Sequence, residues 1–204
     1  MIKLYGIGGS RWVKPFWLLR ELEVPFEAIT VSPRTGDTEK PEYRAMNPYG
    51  KFPTLVDESL TLFESNAICV YLADKFSEKE LMPKPGSTER ALCNQWISFA
   101  VTELEQPLWR MAKHHFIYPE NVRSEAEIEL AKTDFFQVAE IFQRQLNEKK
   151  YLIGNRFTIA DLTVAFTLRW ASLRDNLLGP FPTLMEYMQV NTARPAFPKE
   201  LYEY

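Results

Sequence analysis

The chain predicts an α/β domain followed by an all-α domain. Three observations carry that expectation. Strand and helix patterns alternate from the N-terminus as far as Phe76. The stretch Leu81-Met82-Pro83-Lys84-Pro85-Gly86-Ser87 is dense in residues that punctuate regular structure. Beyond it, strand signals stop and apolar residues step at helical spacing. The boundaries follow: an α/β domain over 1–77, a linker over 78–87 and a helical domain over 88–204.

Taken in order, Ile2 to Tyr5 reads as a strand ended by the loop Gly6-Ile7-Gly8-Gly9. A helix from about Arg11 to Glu23 follows, with Trp17, Leu18 and Leu22 on its buried side. Pro15 must lie in the first turn or two of that helix, where a missing N–H costs least. Phe26 to Val31 is a second strand, and Pro41 to Met46 a short helix. Thr54–Val56 and Leu60–Phe63 are short strands joined through Asp57-Glu58-Ser59, a hairpin pattern. Ser65 to Phe76 closes this half as a helix, giving βαβ and then αββα.

In the second half, Leu92, Trp96 and Phe99 share a helical face, as do Phe135, Val138 and Phe142. Pro107 falls inside a long helical stretch and is expected to kink it, because it removes an internal hydrogen bond. Thr158 and Asp161 sit at the N-cap and N3 positions of a capping box, with Phe157 and Leu162 at the staple positions.

With 204 residues there is enough chain for one large or two small cores. The apolar fraction of 46% and charged fraction of 25% are those of an ordinary globular protein. A net charge of -3 with scattered Lys and Arg argues against a nucleic-acid or anionic-membrane surface. Apolar runs fall far short of the roughly 18 residues that span a bilayer. No leader pattern opens the chain, so a cytoplasmic location is expected. Cys69 and Cys93 lack metal-ligand or CxxC spacing and read as buried thiols. His114 and His115 are adjacent, so they diverge on a helix, and no metal site is expected.

The most informative stretch is Lys51-Phe52-Pro53-Thr54-Leu55, followed by Glu64-Ser65-Asn66-Ala67. Pro53 lies between the turn Asn47-Pro48-Tyr49-Gly50 and a short strand, at the strand's mouth, where proline is tolerated. A cis bond there costs only about 0.5–1 kcal/mol. It would turn the N–H and C=O of Phe52 away from the sheet and leave both for a peptide-like ligand. Glu64 and Ser65 mark a helix start, where a ligand carboxylate meets free backbone N–H groups. Strand edge, acid and helix start together suit a small zwitterionic peptide.

These motifs, with Leu4-Tyr5-Gly6…Ser10 before the first helix and Phe157-Thr158-Ile159-Ala160-Asp161 near the end, resemble the cytosolic glutathione transferases along essentially the whole chain. The resemblance implies a thioredoxin-like N-terminal domain with a cis Pro53, a helical C-terminal domain and a homodimer. It favours the serine-type classes, because Tyr5 lies inside the first strand rather than in the loop after it. Glutathione is then a co-substrate, no cofactor is needed, and the reaction joins the tripeptide thiolate to a small, largely apolar electrophile. A glutathione-dependent isomerase or peroxidase, or a non-catalytic binding or regulatory module, are the alternatives on one fold.

The resemblance assigns Phe52 and Pro53 to pairing with the cysteinyl unit, Glu64 to the γ-glutamyl ammonium and Ser65 to the neighbouring carboxylate. Lys51, Lys40 or Arg34 must hold the glycine end, since Thr38 and Glu39 stand where some relatives carry basic residues. The catalytic candidate is Ser10. A free thiol has a pKa near 8.5, and ionising it at pH 7 takes a drop of roughly 2 units, about 2.7 kcal/mol. A hydroxyl donating to the thiolate supplies roughly 1.5–3 kcal/mol and a helix N-terminus about 0.3–1 kcal/mol. Ser10 as a plain helix cap, or Arg11 or a backbone N–H as the activating group, are the competing roles. For the second substrate the candidates are Trp12, Met111 and His115. Tyr49 is either a loop-packing residue or an aromatic that inserts into a partner subunit.

Overall fold

The computed structural model describes residues 1–174 and 176–202. The chain forms two compact units, Met1–Met82 with the segment from Arg194 onward, and Pro83–Ala193. The break falls inside the proline-rich stretch. The last residues, which the sequence places with the helices, belong to the first unit for a visible reason. Arg194 forks onto the Glu21 carboxylate at 2.7 and 2.8 Å, and Phe197 meets Trp17 edge-on at 5.0 Å between ring centroids.

In the first unit, strands β1 (Ile2–Gly6), β2 (Phe26–Thr30), β3 (Thr54–Asp57) and β4 (Leu60–Phe63) form one sheet in the order β2-β1-β3-β4. β1 and β2 are parallel, so a crossover must join them, and helix α1 (Val13–Glu21) supplies it. The other pairings are antiparallel. Leu4 and Leu55 face each other across the central pair and are fully buried. α1 lays Val13, Trp17 and Leu18 into the core, and Pro15 sits in its first turn. Helices α2 (Pro41–Met46) and α3 (Ser65–Lys75) complete the unit, a thioredoxin-like α/β arrangement. In the β3–β4 hairpin, Asp57 is buried and its Oδ2 accepts from Tyr71 Oη at 2.7 Å and from the Lys75 ammonium.

The second unit is helical: α4 (Thr88–Phe99), α5 (Glu105–Ala112), α6 (Glu125–Leu146), α7 (Ile159–Ser172) and α8 (Pro182–Thr192). Pro107 lies near the start of α5, and the helical path continues through it. A π-turn over Ala100–Leu104 precedes it, in which the Glu105 N–H reaches the Ala100 carbonyl. A second π-turn, Lys113–Ile117, extends α5. α7 is buried almost all round, and the capping box at Thr158 and Asp161 is present. The Asp161 carboxylate accepts from the Thr158 N–H and hydroxyl, the Leu152 N–H and the Tyr187 hydroxyl, at 2.7–2.9 Å. Burial pushes this carboxyl up, against the four bonds that oppose it. Phe157 and Leu162, at the staple positions, are both buried. Among the described residues no helix is long and apolar enough to cross a membrane.

Burial corrects two of the second-substrate candidates. Trp12 is 4% exposed, tilted against Phe16 at 4.7 Å, and packed over Gly6 so closely that any Cβ there would collide with the indole. Met111 is likewise 4% exposed. Both are large apolar groups that the fold has taken out of water, and they present almost no surface to a second molecule. His115 is half-buried in the π-turn beside Phe116.

The Trp12 Nε1 is buried with no hydrogen-bond partner. Trp12→Phe therefore loses no bond and is expected to change unfolding free energy by less than about 1.5 kcal/mol, whereas Trp12→Ala costs about 3–5 kcal/mol in urea melts. A Phe variant as unstable as the Ala variant would show that the indole N–H is bonded. Burial alone would raise the Asp57 carboxyl, but Lys75 and Tyr71 outweigh it and hold it below the usual carboxylate range. Its stabilisation is thus complete above about pH 4 and is lost as pH falls through the lower native value. Asp57→Asn is expected to lower Tm at pH 7 and to flatten the acid limb of the Tm–pH profile; parallel profiles would refute the pairing's role.

Candidate functional site

One row of the sheet gathers the candidate residues. Tyr5 of β1 pairs with Thr54 of β3, and Thr54 with Phe63 of β4. β1 and β4 end at this row while β3 begins there. The loop carrying Ser10 after β1, Pro53 before β3, and Glu64 and Ser65 after β4 therefore emerge at the same end of the sheet. Short strands and antiparallel register bring together residues that are up to 55 positions apart in sequence.

The segment before β3 is held by side chains from α2 and the turn after it. Tyr43 Oη donates to the Lys51 carbonyl at 2.7 Å and lies 3.1 Å from Thr54 Oγ1. Asn47 Nδ2 donates to the same carbonyl at 2.7 Å and to Thr54 Oγ1 at 3.2 Å, while its Oδ1 accepts from the Tyr49 N–H. Both side chains are buried. Burial raises the Tyr43 phenol, with its bond to Thr54 opposing, so it keeps its proton and stays a donor. Gly50 turns the chain at φ 64°, and the Arg44 guanidinium fills the space a side chain there would need.

The Phe52–Pro53 peptide is cis. The β1–β3 ladder begins at Thr54, and the N–H and C=O of Phe52 have no hydrogen-bond partner among the described residues. Pro53 is buried and Phe52 half-buried. The free rung is thus fixed on both sides, by the doubly bonded Lys51 carbonyl and by the strand itself.

Glu64 is exposed and holds φ at 74°, a left-handed conformation unusual for a residue with a side chain. It caps α3 with no side-chain bond to the helix, which leaves its carboxylate outward. Ser65 is 3% exposed and its hydroxyl has no partner among the described residues. The backbone N–H groups of the first turn point the same way as the helix start. Acid, hydroxyl and amides offer the chemistry that the two charges of an α-amino acid group require.

Ser10 is half-buried in the turn that feeds α1. Its Oγ accepts from the Trp12 N–H at 3.2 Å and donates to the Ile7 carbonyl at 2.6 Å. The hydroxyl proton already has an acceptor, and Ser10 is not the helix cap, because α1 starts after Trp12 and its cap position carries no side-chain bond. Of the basic residues for an anionic ligand end, Lys40 is paired with Asp37 at 2.7 Å, and Asp37 is held down at about 2 by Lys40, Thr35 and the Ser32 N–H. Arg44 is bonded to Glu39 and to the Pro48 carbonyl. Lys51 is exposed beside the free rung, its ammonium 5.3 Å from the Tyr49 ring centre. Arg34 is exposed on the loop after β2. Cys69 and Cys93 are buried, and burial pushes their thiols up to about 12 and about 11. Neither is a nucleophile at neutral pH.

Tyr43 and Asn47 are the site residues that sequence reasoning missed. Asn-Pro in the turn is a signal for a side chain bonding nearby backbone, which Asn47 does. Nothing in the sequence marks Tyr43 beyond an aromatic on a short helix.

Residues 1–74 match the family model for the glutathione S-transferase N-terminal domain, and residues 105–195 the model for its C-terminal domain. Glutathione S-transferase F10 of Arabidopsis thaliana is 33% identical over 153 residues, covering 71% of this chain and 68% of the relative. The crystal structure of glutathione transferase F7 from Populus trichocarpa superposes with a TM-score of 0.90 at 25% identity, covering all of both chains. The glutathione transferase URE2P6 of Phanerochaete chrysosporium, solved in complex with oxidized glutathione, gives a TM-score of 0.87 at 26% identity over 98% of this chain and 94% of that one. The chain belongs to the glutathione S-transferase family.

Proposed function

We propose that the protein binds glutathione at the end of its first-unit sheet and transfers the thiolate to an electrophilic carbon of an apolar co-substrate. The observation that carries this is the unpaired Phe52 rung beside the uncapped start of α3. The cysteinyl unit of the tripeptide pairs with the N–H and C=O of Phe52 as one rung of added strand. Glu64 accepts from the γ-glutamyl ammonium, and the Ser65 hydroxyl and N–H hold the adjacent carboxylate. Lys51 takes the glycine carboxylate, because Lys40 and Arg44 are already committed to neighbouring carboxylates.

The chemistry needs the sulfur as an anion. Ser10 turns its hydroxyl from the Ile7 carbonyl to the thiol sulfur and stabilises the thiolate once the proton has left to solvent. The sulfur lone pair then forms the C–S bond, and the bonding pair to the leaving group departs with it. In an addition, the pair settles on the neighbouring atom and takes up a proton. The exposed Tyr49 ring and the β4 edge, with Leu60 and Phe63 outward, supply a surface for a second copy of the chain, and we assign a homodimer to it.

Ultraviolet absorbance of bound glutathione tests the catalytic step. At pH 7 the parent is expected to show a thiolate band that Ser10→Ala loses, with glutathione Kd changed by less than about tenfold. A band that survives in Ser10→Ala moves the role to Arg11 or a backbone N–H. Tight binding without any band favours a non-catalytic module. Asn47→Ala strips the Lys51 carbonyl, the Thr54 hydroxyl and the Tyr49 N–H of a partner and is expected to cost about 2–3 kcal/mol in stability and to weaken glutathione. Unchanged affinity in that variant would show that the rung does not depend on the clamp.

A further inference from the structure

The helical unit carries a cleft of about 410 Å³ that the transfer chemistry does not use, lined by Phe136, Glu140, Gln143, Arg144, Pro180 and Phe181. Its size falls in the range of small-molecule sites, roughly 300–1,000 Å³. Four of these residues stand on one face of α6, in the order ring, acid, amide, base. Phe136 and Phe181 are in ring contact at 5.8 Å, and with Pro180 they make one apolar end. Glu140 and Arg144 are both exposed, and neither has an ion-pair partner among the described residues. Between them, Gln143 Oε1 is shielded from water and accepts no hydrogen bond.

Each of these features asks for a different part of one ligand. The dry amide oxygen needs an N–H donor, because leaving it unsatisfied is costly, and the exposed Glu140 carboxylate can accept from the same donor. The terminal amide torsion is soft, so Gln143 can present its oxygen to a donor in the cleft. An unpaired guanidinium one helical turn further on suits a carboxylate, for which its fork geometry is matched. Glu140 and Arg144 could pair with each other, but an exposed i,i+4 pair contributes only about 0.3–0.5 kcal/mol and gives way easily to a ligand carrying both charges. The aromatic end accepts an apolar ring.

We propose that this cleft binds a free α-amino acid with an aromatic side chain. The ligand ammonium sits on Glu140 and Gln143, the carboxylate on Arg144, and the ring against Phe136, Pro180 and Phe181. The site is separate from the glutathione site in residues and in charge pattern, and does not depend on the reading given for that site.

Calorimetric titration of the full chain with L-phenylalanine tests it, beside 2-phenylethylamine, which lacks the carboxylate, and 3-phenylpropionate, which lacks the ammonium. Saturable binding of L-phenylalanine is expected, with each single-charge analogue weaker by about tenfold, the effect of losing one charge-assisted bond. Glu140→Gln should weaken L-phenylalanine and 2-phenylethylamine but not 3-phenylpropionate, and Arg144→Gln should do the reverse with the analogues. Both are exposed substitutions, and the thiolate band of bound glutathione should stay unchanged in each. Absence of saturable heat, equal affinity for the three probes, parent-like binding in both variants, or displacement of L-phenylalanine by glutathione would each overturn the proposal.

Discussion

The site depends on how the backbone around Lys51 is held. A free donor and acceptor on a loop would normally find partners in water or in the chain itself, since unpaired backbone groups are rare in folded proteins. Here the neighbouring carbonyl is bonded twice, by Tyr43 and by Asn47, and Thr54 is fixed in the sheet and bonded by the same two side chains. Residue 52 has no freedom left to turn its own N–H and C=O inward. If Phe52 is the pairing rung proposed above, it is built before any ligand arrives, and binding does not have to order it.

This arrangement separates the parts that bind from the parts that stabilise. The heavily bonded acids are Asp57, under the β3–β4 hairpin, and Asp161, at the head of α7. Each is buried, Asp161 with both oxygens bonded and Asp57 with Oδ2 held by Tyr71 and Lys75, so both have structural work. Glu64 is the opposite case, exposed, with a side chain that makes no bond to its helix, and held at a positive φ. A carboxylate with no structural duty in a conformation that needs support from its surroundings is what a ligand-binding acid looks like on physical grounds.

Much of this was legible in the sequence. The order of strands and helices in the first unit follows from alternation, turn residues and the position of Pro53, and the structure reproduces it within a residue or two at most ends. The breaker-rich segment marked the change of architecture, and the capping box at Thr158 followed from local chemistry alone. What failed had long-range causes. Trp12 stood among the second-substrate candidates, yet it packs over Gly6 and against Phe16. The return of the Arg194 segment to the first unit rests on a carboxylate 173 residues away, which no local pattern encodes. Tyr43 belongs to the same class, since its partners come from a loop that only the fold brings near.

For the role proposed for Ser10, its bond to Ile7 changes the energetics of thiol activation. Considered in isolation, a serine donating to a thiolate supplies roughly 1.5–3 kcal/mol. In this protein the hydroxyl must first give up the Ile7 carbonyl, a neutral bond contributing about 0.5–1.5 kcal/mol. The net gain is then closer to about 1–1.5 kcal/mol, and the start of α1 adds about 0.3–1 kcal/mol. Together these fall short of the roughly 2.7 kcal/mol that a two-unit drop requires. On this reading Ser10 and the helix alone bring a thiol from near 8.5 to about 6.7–7.5, partly rather than fully ionised at neutral pH. A lower measured value would require a further positive group close to the sulfur, the role for which Arg11, next in the chain, is the competing candidate.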